Sequence, residues 1–281
     1  MSWTAQATQE NAVSKNTALE VAKAEALKRV AALKERERAY QRILAYGEPK
    51  VGKSGFAMDW RTEEEIENGT LIRILDFDNG CEPTWRTNWD SDPNIEILHP
   101  IVRDNEGYPD LSETILLAEA WIQMAKDSIE DGENVKFVFD GIDKWLNICF
   151  LAVQQDKRST NFKFLPVLWG SRNKTYDDLI DKVCALPCDV YFITHMKDKY
   201  EGINNPNPTG RMPDIGKNTM AAINQELQFE KKIIGNKTDY YVKVISSKTN
   251  TALVGKEFNI LTINAGEVEW TSVPEFQAGK L

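Results

Sequence analysis

Apolar and polar positions change rhythm twice along the chain. Residues 1–16 are polar and are expected to be mobile. From Thr17 to Arg38, Ala18, Leu19, Val21, Ala22, Ala26, Val30 and Leu33 recur at helical spacing among Lys, Glu and Arg. The apolar members are mostly small, so the stripe is shallow. It reads either as a surface helix docked on its own domain or as an arm that packs on a neighbouring subunit. From Arg42 onward, short apolar runs at Arg42–Tyr46, Leu71–Asp76, Ile95–His99, Val135–Asp140 and Val190–His195 predict strands. Helical patterns around Lys53–Glu65, Leu111–Ile129 and Asp177–Ala185 fall between several of them. Such alternation predicts an α/β fold with a mostly parallel sheet covered by helices on both faces. Ligands then bind at the carboxyl ends of the strands.

The second change comes after residue 196. Lys197–Met220 is rich in Gly, Asn and Pro and predicts a long loop, of a length that is usually either functional or disordered. Leu227–Ile234, Tyr240–Ser246, Glu257–Ile263 and Val268–Thr271 then predict an antiparallel meander closing the sheet, punctuated by GNKTD and NAGE. The organisation expected is residues 1–40 as a polar segment and helix, a candidate oligomerisation arm, and residues 41–281 as one domain.

Composition narrows the classes. The 281 residues are 42% hydrophobic and 27% charged, enough for a real core. The 34 basic and 43 acidic residues leave a net charge of −9, which argues against a surface coated for constitutive nucleic-acid binding. A local basic loop remains compatible with it. No apolar run approaches the roughly 20 residues of a membrane helix, and the polar N-terminus has no secretory h-region. No membrane partner is therefore expected. Cys81, Cys149, Cys184 and Cys188 form no CxxC pair, so free thiols in a reducing cytoplasm are expected. With two histidines in the chain, no zinc site is expected.

The candidate chemistry starts at Gly47-Glu48-Pro49-Lys50-Val51-Gly52-Lys53-Ser54, which fits G-x-x-x-x-G-K-[ST] throughout and is followed by Gly55. A strand precedes it and a helix-compatible run follows. Residues 47–55 form the candidate phosphate cradle, in which backbone N–H groups point at phosphate oxygens. Lys53 is expected to bridge the β- and γ-phosphates, and Ser54 to offer a hydroxyl to Mg²⁺. A metal partner is needed at another strand end. Val135–Asp140 is an apolar strand ending in Asp140, with Asp143 close enough to compete for the role. ATP and Mg²⁺ are the cofactors this pattern implies. Hydrolysis also needs a group to orient water. Asp76 and Asp78 in ILDFDNG could share one strand face, or be solvated turn acids. Thr194 and His195 end a further strand just before the long loop, where a γ-phosphate sensor could sit.

In order along the chain, these segments resemble the RecA-type ATPase core, in particular the RecA-like recombination or annealing ATPases of phages. The likeness spans roughly residues 42–263 and includes GEPKVGKS, ILDFDNG, FITHMKD and Tyr241–Lys248 followed by Lys256-Glu-Phe. It implies Asp78 as the catalytic acid and His195 as the sensor. It also implies Lys248 as a cation supplied to a neighbouring subunit's nucleotide in a ring or filament. Asp78 stands where RecA has Glu, and Gly141 follows Asp140 where a small hydroxyl residue is usual. The resemblance implies single-stranded DNA as a partner, bound through residues 154–174 and 197–217. The first segment interleaves Lys157, Arg158, Lys163, Arg172 and Lys174 with Phe162, Phe164 and Trp169. The second carries Lys197, Lys199, Arg211, Lys217 and Tyr200. The implied activity is Mg²⁺-dependent ATP hydrolysis coupled to single-stranded DNA in recombination or annealing, in a host cytoplasm if phage-encoded. The alternative is a nucleotide-gated assembly protein that binds no DNA.

Overall fold

The computed structural model describes residues 3–36, 38–155, 166–201 and 207–271. The chain divides into two units, residues 1–39 and 40–281. The first is a single helix, α1 (Trp3–Glu35), which starts well before the expected Thr17. Good helix formers run through its length. Within its C-terminal half, Lys23–Glu20 and Arg29–Glu25 pair at 2.7 and 2.9 Å, one turn apart.

The second unit runs β1 (Arg42–Gly47), α2 (Lys53–Met58), α3 (Glu63–Glu67), β2 (Leu71–Asp76), α4 (Cys81–Asn88), β3 (Ile95–Leu98), α5 (Leu111–Glu130), β4 (Val135–Asp140), α6 (Ile142–Gln155), α7 (Pro166–Cys184), β5 (Asp189–Lys199), β6 (Gly210–Pro213), α8 (Thr219–Ala222), β7 (Gln225–Ile234), β8 (Lys237–Ser247), β9 (Glu257–Asn264) and β10 (Glu267–Trp270). The sheet order is β10-β9-β8-β7-β1-β5-β4-β2-β3, with β6 paired to β5. All contacts from β7 through β3 are parallel, whereas β7–β8, β8–β9 and β9–β10 are antiparallel. The expected α/β architecture with a C-terminal meander is therefore present.

The central strands are buried on both sides, as continuous apolar runs require in a parallel sheet. On one face Ile43, Ala45, Ile72, Ile74, Val138 and Tyr191 pack with Phe56 and Met58 of α2 and with Trp60. On the other, Leu44, Leu75, Phe137, Phe139 and Phe192 pack with Ala118 and Ile122 of α5, Trp145 of α6, and Leu179 and Val183 of α7. Arg42 fastens the end of α7 to the start of β1. Its guanidinium donates to the carbonyls of Cys184, Leu186 and Cys188 at 2.9, 2.8 and 2.6 Å. The first is a carbonyl that the end of α7 leaves without an intrahelical partner, and the other two belong to the connection into β5.

Three local expectations are corrected. The helical run Lys53–Glu65 is two short helices, because Thr62 starts a new one. Its hydroxyl accepts the Glu65 N–H while the Glu65 carboxylate accepts the Thr62 N–H. Helix α4 follows DFDNG, in a stretch where the helical patterns predict no helix. The stretch Lys197–Met220 is not one loop: β5 runs on to Lys199 and folds back as the β5–β6 hairpin, and α8 follows. Among the described residues no helix is long and apolar enough to cross a membrane, and all four cysteines are free.

Candidate nucleotide-binding site

The loop between β1 and α2 turns on two left-handed residues, Lys50 (φ 62°) and Gly52 (φ 90°). The second is where only glycine sits without strain. Lys53, the first residue of α2, is buried rather than solvent-facing, with 6% exposure. Its ammonium donates to the carbonyls of Glu48 and Gly47 at 2.8 and 3.3 Å. Burial lowers its pKa, opposed by the carboxylates of Asp140, Asp143, Asp78 and Glu48.

Ser54 Oγ donates to Asp140 Oδ2 at 2.6 Å. The helix after β1 and the end of β4 thus converge on one point, although β5 separates the two strands. Asp140 is buried at the cavity wall, and burial followed by repulsion from Asp76 raises its pKa to about 6. Cys81 Sγ lies 3.1 Å from the same Oδ2 and donates to it. Burial pushes that thiol well up, so it remains protonated. Asp143 is taken up elsewhere: its Oδ2 lies 3.0 Å from His195 Nδ1. Burial alone would raise the Asp143 pKa, but the hydrogen bond and charge of His195, together with the Lys144 charge and a backbone hydrogen bond, leave the carboxyl below its ordinary range.

Asp76 and Asp78 do not share a face. Strand β2 ends at Asp76, and strand alternation ends with it. Asp76 is buried and accepts the backbone N–H groups of Asn79 (2.7 Å) and Cys81 (2.9 Å), so it builds the turn into α4. Phe77 turns into the opposite core against Phe139 and Trp145. Asp78 faces the cavity, with its Oδ2 3.8 Å from His195 Nε2 and its Oδ1 3.6 Å from Lys144 Nζ. Gly141 makes this possible. It has φ 82°, and a Cβ there would lie 2.8 Å from the Asp78 backbone nitrogen. The departure from a hydroxyl residue after Asp140 thus has a steric cause. Thr194, fully buried, donates from Oγ1 to the Asp214 carbonyl at 2.7 Å and ties β5 to the segment after β6.

Pro49–Gly55, Asp78, Asp140 and His195 line one cavity of about 490 Å³. Its remaining wall comes from Gly80, Thr84 and Asn88 and from Tyr240, Leu261, Ile263 and Trp270 of the meander. Sequence reasoning missed that wall, because these residues meet the phosphate loop only through sheet order. Lys248 is not brought to the cavity. It follows β8 at the sheet end where β1 begins, with Gln225 opposite both Ile43 and Ser247. Its ammonium donates to the Ile223 carbonyl at 2.7 Å.

Of the two segments proposed to meet DNA, Lys157, Arg158, Phe162, Lys163 and Phe164 lie outside the described residues. A second groove, of about 680 Å³, is lined by Asp143, Lys144, Phe150, Trp169, Arg172, Lys197, Asp214 and Lys217. The Arg172 guanidinium stacks over the Trp169 ring at 4.2 Å. Acids accompany several of the expected cations: Lys197 pairs with Asp214 and Lys199 with Glu201, both at 2.8 Å, and Arg211 with Glu48 at 2.7 Å.

Two hard oxygen donors, the Ser54 hydroxyl and the Asp140 carboxylate, stand together at the start of α2, and this donor set suits Mg²⁺. No curated protein matches the chain. A KaiC-like protein, PH0186 from Pyrococcus horikoshii OT3, is a similar solved structure. It is 11% identical, with a TM-score of 0.48 over 82% of this chain and 89% of that one. The AAA domain family matches residues 39–257. That span holds the phosphate loop, Asp78, Asp140 and His195, and the chain belongs to the AAA domain family of P-loop ATPases.

Proposed function

We propose that the protein is a RecA-like, Mg²⁺-dependent ATPase that couples hydrolysis to single-stranded DNA in recombination or annealing. The observation that carries the ATPase reading is the 2.6 Å contact between Ser54 and Asp140 beside the Lys53 ammonium. In this reading the N–H groups of residues 47–55 and Lys53 bind the phosphates, and Ser54 and Asp140 hold Mg²⁺. Bound there, the ion neutralises phosphate charge. Asp78 orients the attacking water and accepts its proton. It is a cavity-facing carboxylate held near His195, and the other nearby acids have partners of their own: Asp76 in its turn, Asp140 on Ser54, Asp143 on His195.

His195 is the γ-phosphate sensor in this reading. Asp143 supports it, because the residue both holds His195 in the first cavity and lines the second groove. Trp169, Arg172, Lys144, Lys197 and Lys217 give that groove the cation–aromatic mix that single strands favour. The recombination role and the phage origin rest on the motif order described above. Lys248 sits at the sheet end opposite its own phosphate loop. It could reach a nucleotide only across a head-to-tail contact between copies, which leads to a ring or filament. The test is the ATPase rate with and without single-stranded DNA at low salt, with Lys53→Ala as the blank. Stimulation by DNA is expected. Hydrolysis indifferent to DNA, together with ATP-dependent change in mass, would favour a nucleotide-gated assembly protein instead.

A further inference from the structure

The cavity has two chemically distinct ends. Lys53, Ser54, Asp140 and Asp78 make one end charged. The other is a row of side chains across three strands. Tyr240 on β8 is directly opposite Leu261 on β9, and Leu261 is directly opposite Trp270 on β10. Directly opposed residues point to the same face of a sheet, and all three line the cavity. The β8–β9 register shifts between Tyr240 and Tyr241, the kind of irregularity that re-aims a side chain. The row lies against the phosphate loop: a Cβ on Gly52 would stand 3.6 Å from the Tyr240 ring, and one on Gly55 3.6 Å from the Trp270 ring.

Strand β10, which carries the tryptophan, is an edge strand of the sheet. All four of its residues are exposed, and Trp270 keeps 36% of its surface in contact with solvent. Its ring contact within the chain is Trp89, at 5.9 Å. Leu261 and Trp270 also lie beyond residue 257, where the AAA domain match ends.

We infer that the Tyr240–Leu261–Trp270 row is the nucleobase subsite, with Trp270 as the stacking residue. The inference rests on the nucleotide reading above. With the phosphates over Lys53 and Ser54, the ligand must leave the cradle past Gly55, and Trp270 covers that exit. A flat aromatic base meets a flat indole there, and Leu261 and Tyr240 floor the pocket. The row offers the base mostly apolar surface, so it adds affinity by stacking.

The test compares dissociation constants for ATP and for inorganic tripolyphosphate, both with Mg²⁺. The parent, Trp270→Ala and Trp270→Phe are measured, and a thermal melt confirms that each is folded. The parent is expected to bind ATP more tightly than tripolyphosphate. Trp270→Ala is expected to lose roughly tenfold in ATP affinity while its tripolyphosphate affinity stays at the parent value. Trp270→Phe is expected to recover most of the loss. If Trp270→Ala misfolds, Tyr240→Leu is measured against the same two ligands, with a smaller selective loss for ATP expected. Parent-like ATP binding in the folded Ala variant, or equal loss for both ligands, overturns the base subsite and leaves the phosphate site standing. A parent that binds neither ligand overturns the nucleotide reading and this inference with it.

Discussion

The Cα of Gly141 is packed against the backbone of Asp78, so closely that a methyl group there would lie 2.8 Å from the Asp78 amide nitrogen. The positive φ of Gly141 adds a second penalty for any other residue. Gly141→Ala is therefore expected to cost about 2–3 kcal/mol of stability. It should also lower the hydrolysis rate by displacing the Asp78 loop. Chemical denaturation and steady-state rates check both. A variant as stable as the parent would show that the loop yields freely.

Asp76 and Asp78 separate by what they hold. Asp78→Asn is expected to bind MgATP like the parent and to turn over about a hundredfold more slowly, with little change in Tm. Asp76→Ala removes the acceptor of two backbone N–H groups and is expected to cost about 1–3 kcal/mol. Asp140→Asn should weaken the Mg²⁺ dependence instead. Parent-like turnover in Asp78→Asn would move the base to another group.

Lys53→Ala removes a buried ammonium whose partners are two carbonyls of its own loop. Taking out a buried charge relieves its desolvation. Stability is therefore expected to stay within about 1 kcal/mol of the parent, while ATP affinity falls on the order of a hundredfold. Titration calorimetry reads both effects, given a melt on the same sample. Unchanged affinity would remove the phosphate loop from the site.

Burial raises the Asp59 carboxyl at the end of α2 to about 6, opposed by Arg61. A carboxyl raised above its unfolded value takes up a proton on folding between the two pKa values. Its contribution to stability therefore falls as pH rises from about 4 to about 6. Asp59→Asn is expected to be more stable than the parent at pH 7 by about 1–2 kcal/mol, discounted for partial exposure. The gap should close by about pH 4. Melts across that range test it, and a gap that widens on acidification would reverse the sign.

Lys248 caps the carbonyl after α8, so Lys248→Ala is expected to lose about 1 kcal/mol of stability. If the lysine also serves a neighbour, the variant should bind ATP but not hydrolyse it. Mixing it with Lys53→Ala should then restore activity at interfaces that pair the two intact sites. Co-assembly without rescue would leave Lys248 as a cap alone.

What the sequence displays is what is local along the chain. Gly47–Ser54 and the apolar strand ending in Asp140 are contiguous, and a strand end is a defined place in a parallel sheet. The break at Asp59–Arg61 was equally local: Thr62 and Glu65 form a capping pair three residues apart, hidden only because apolar spacing runs through it. The roles of Asp76 and Asp78 were harder, since strand alternation holds only while the strand lasts. Tyr240 and Trp270 were out of reach of any local pattern. They meet Gly52 and Gly55 through a strand order in which β7 inserts parallel beside β1 and the meander then returns over the loop.

That strand order divides the cavity between the most and the least protected parts of the sheet. Strand β1 is hydrogen-bonded on both sides and almost wholly buried, whereas β10 is an edge strand with no buried residue. Amide hydrogen exchange is therefore expected to be slowest at the phosphate loop's own strand and fast at β10, the latter opening at a small fraction of the global unfolding free energy. The nucleotide could then enter or leave by local fraying of four residues, with the phosphate cradle still fully built beneath it.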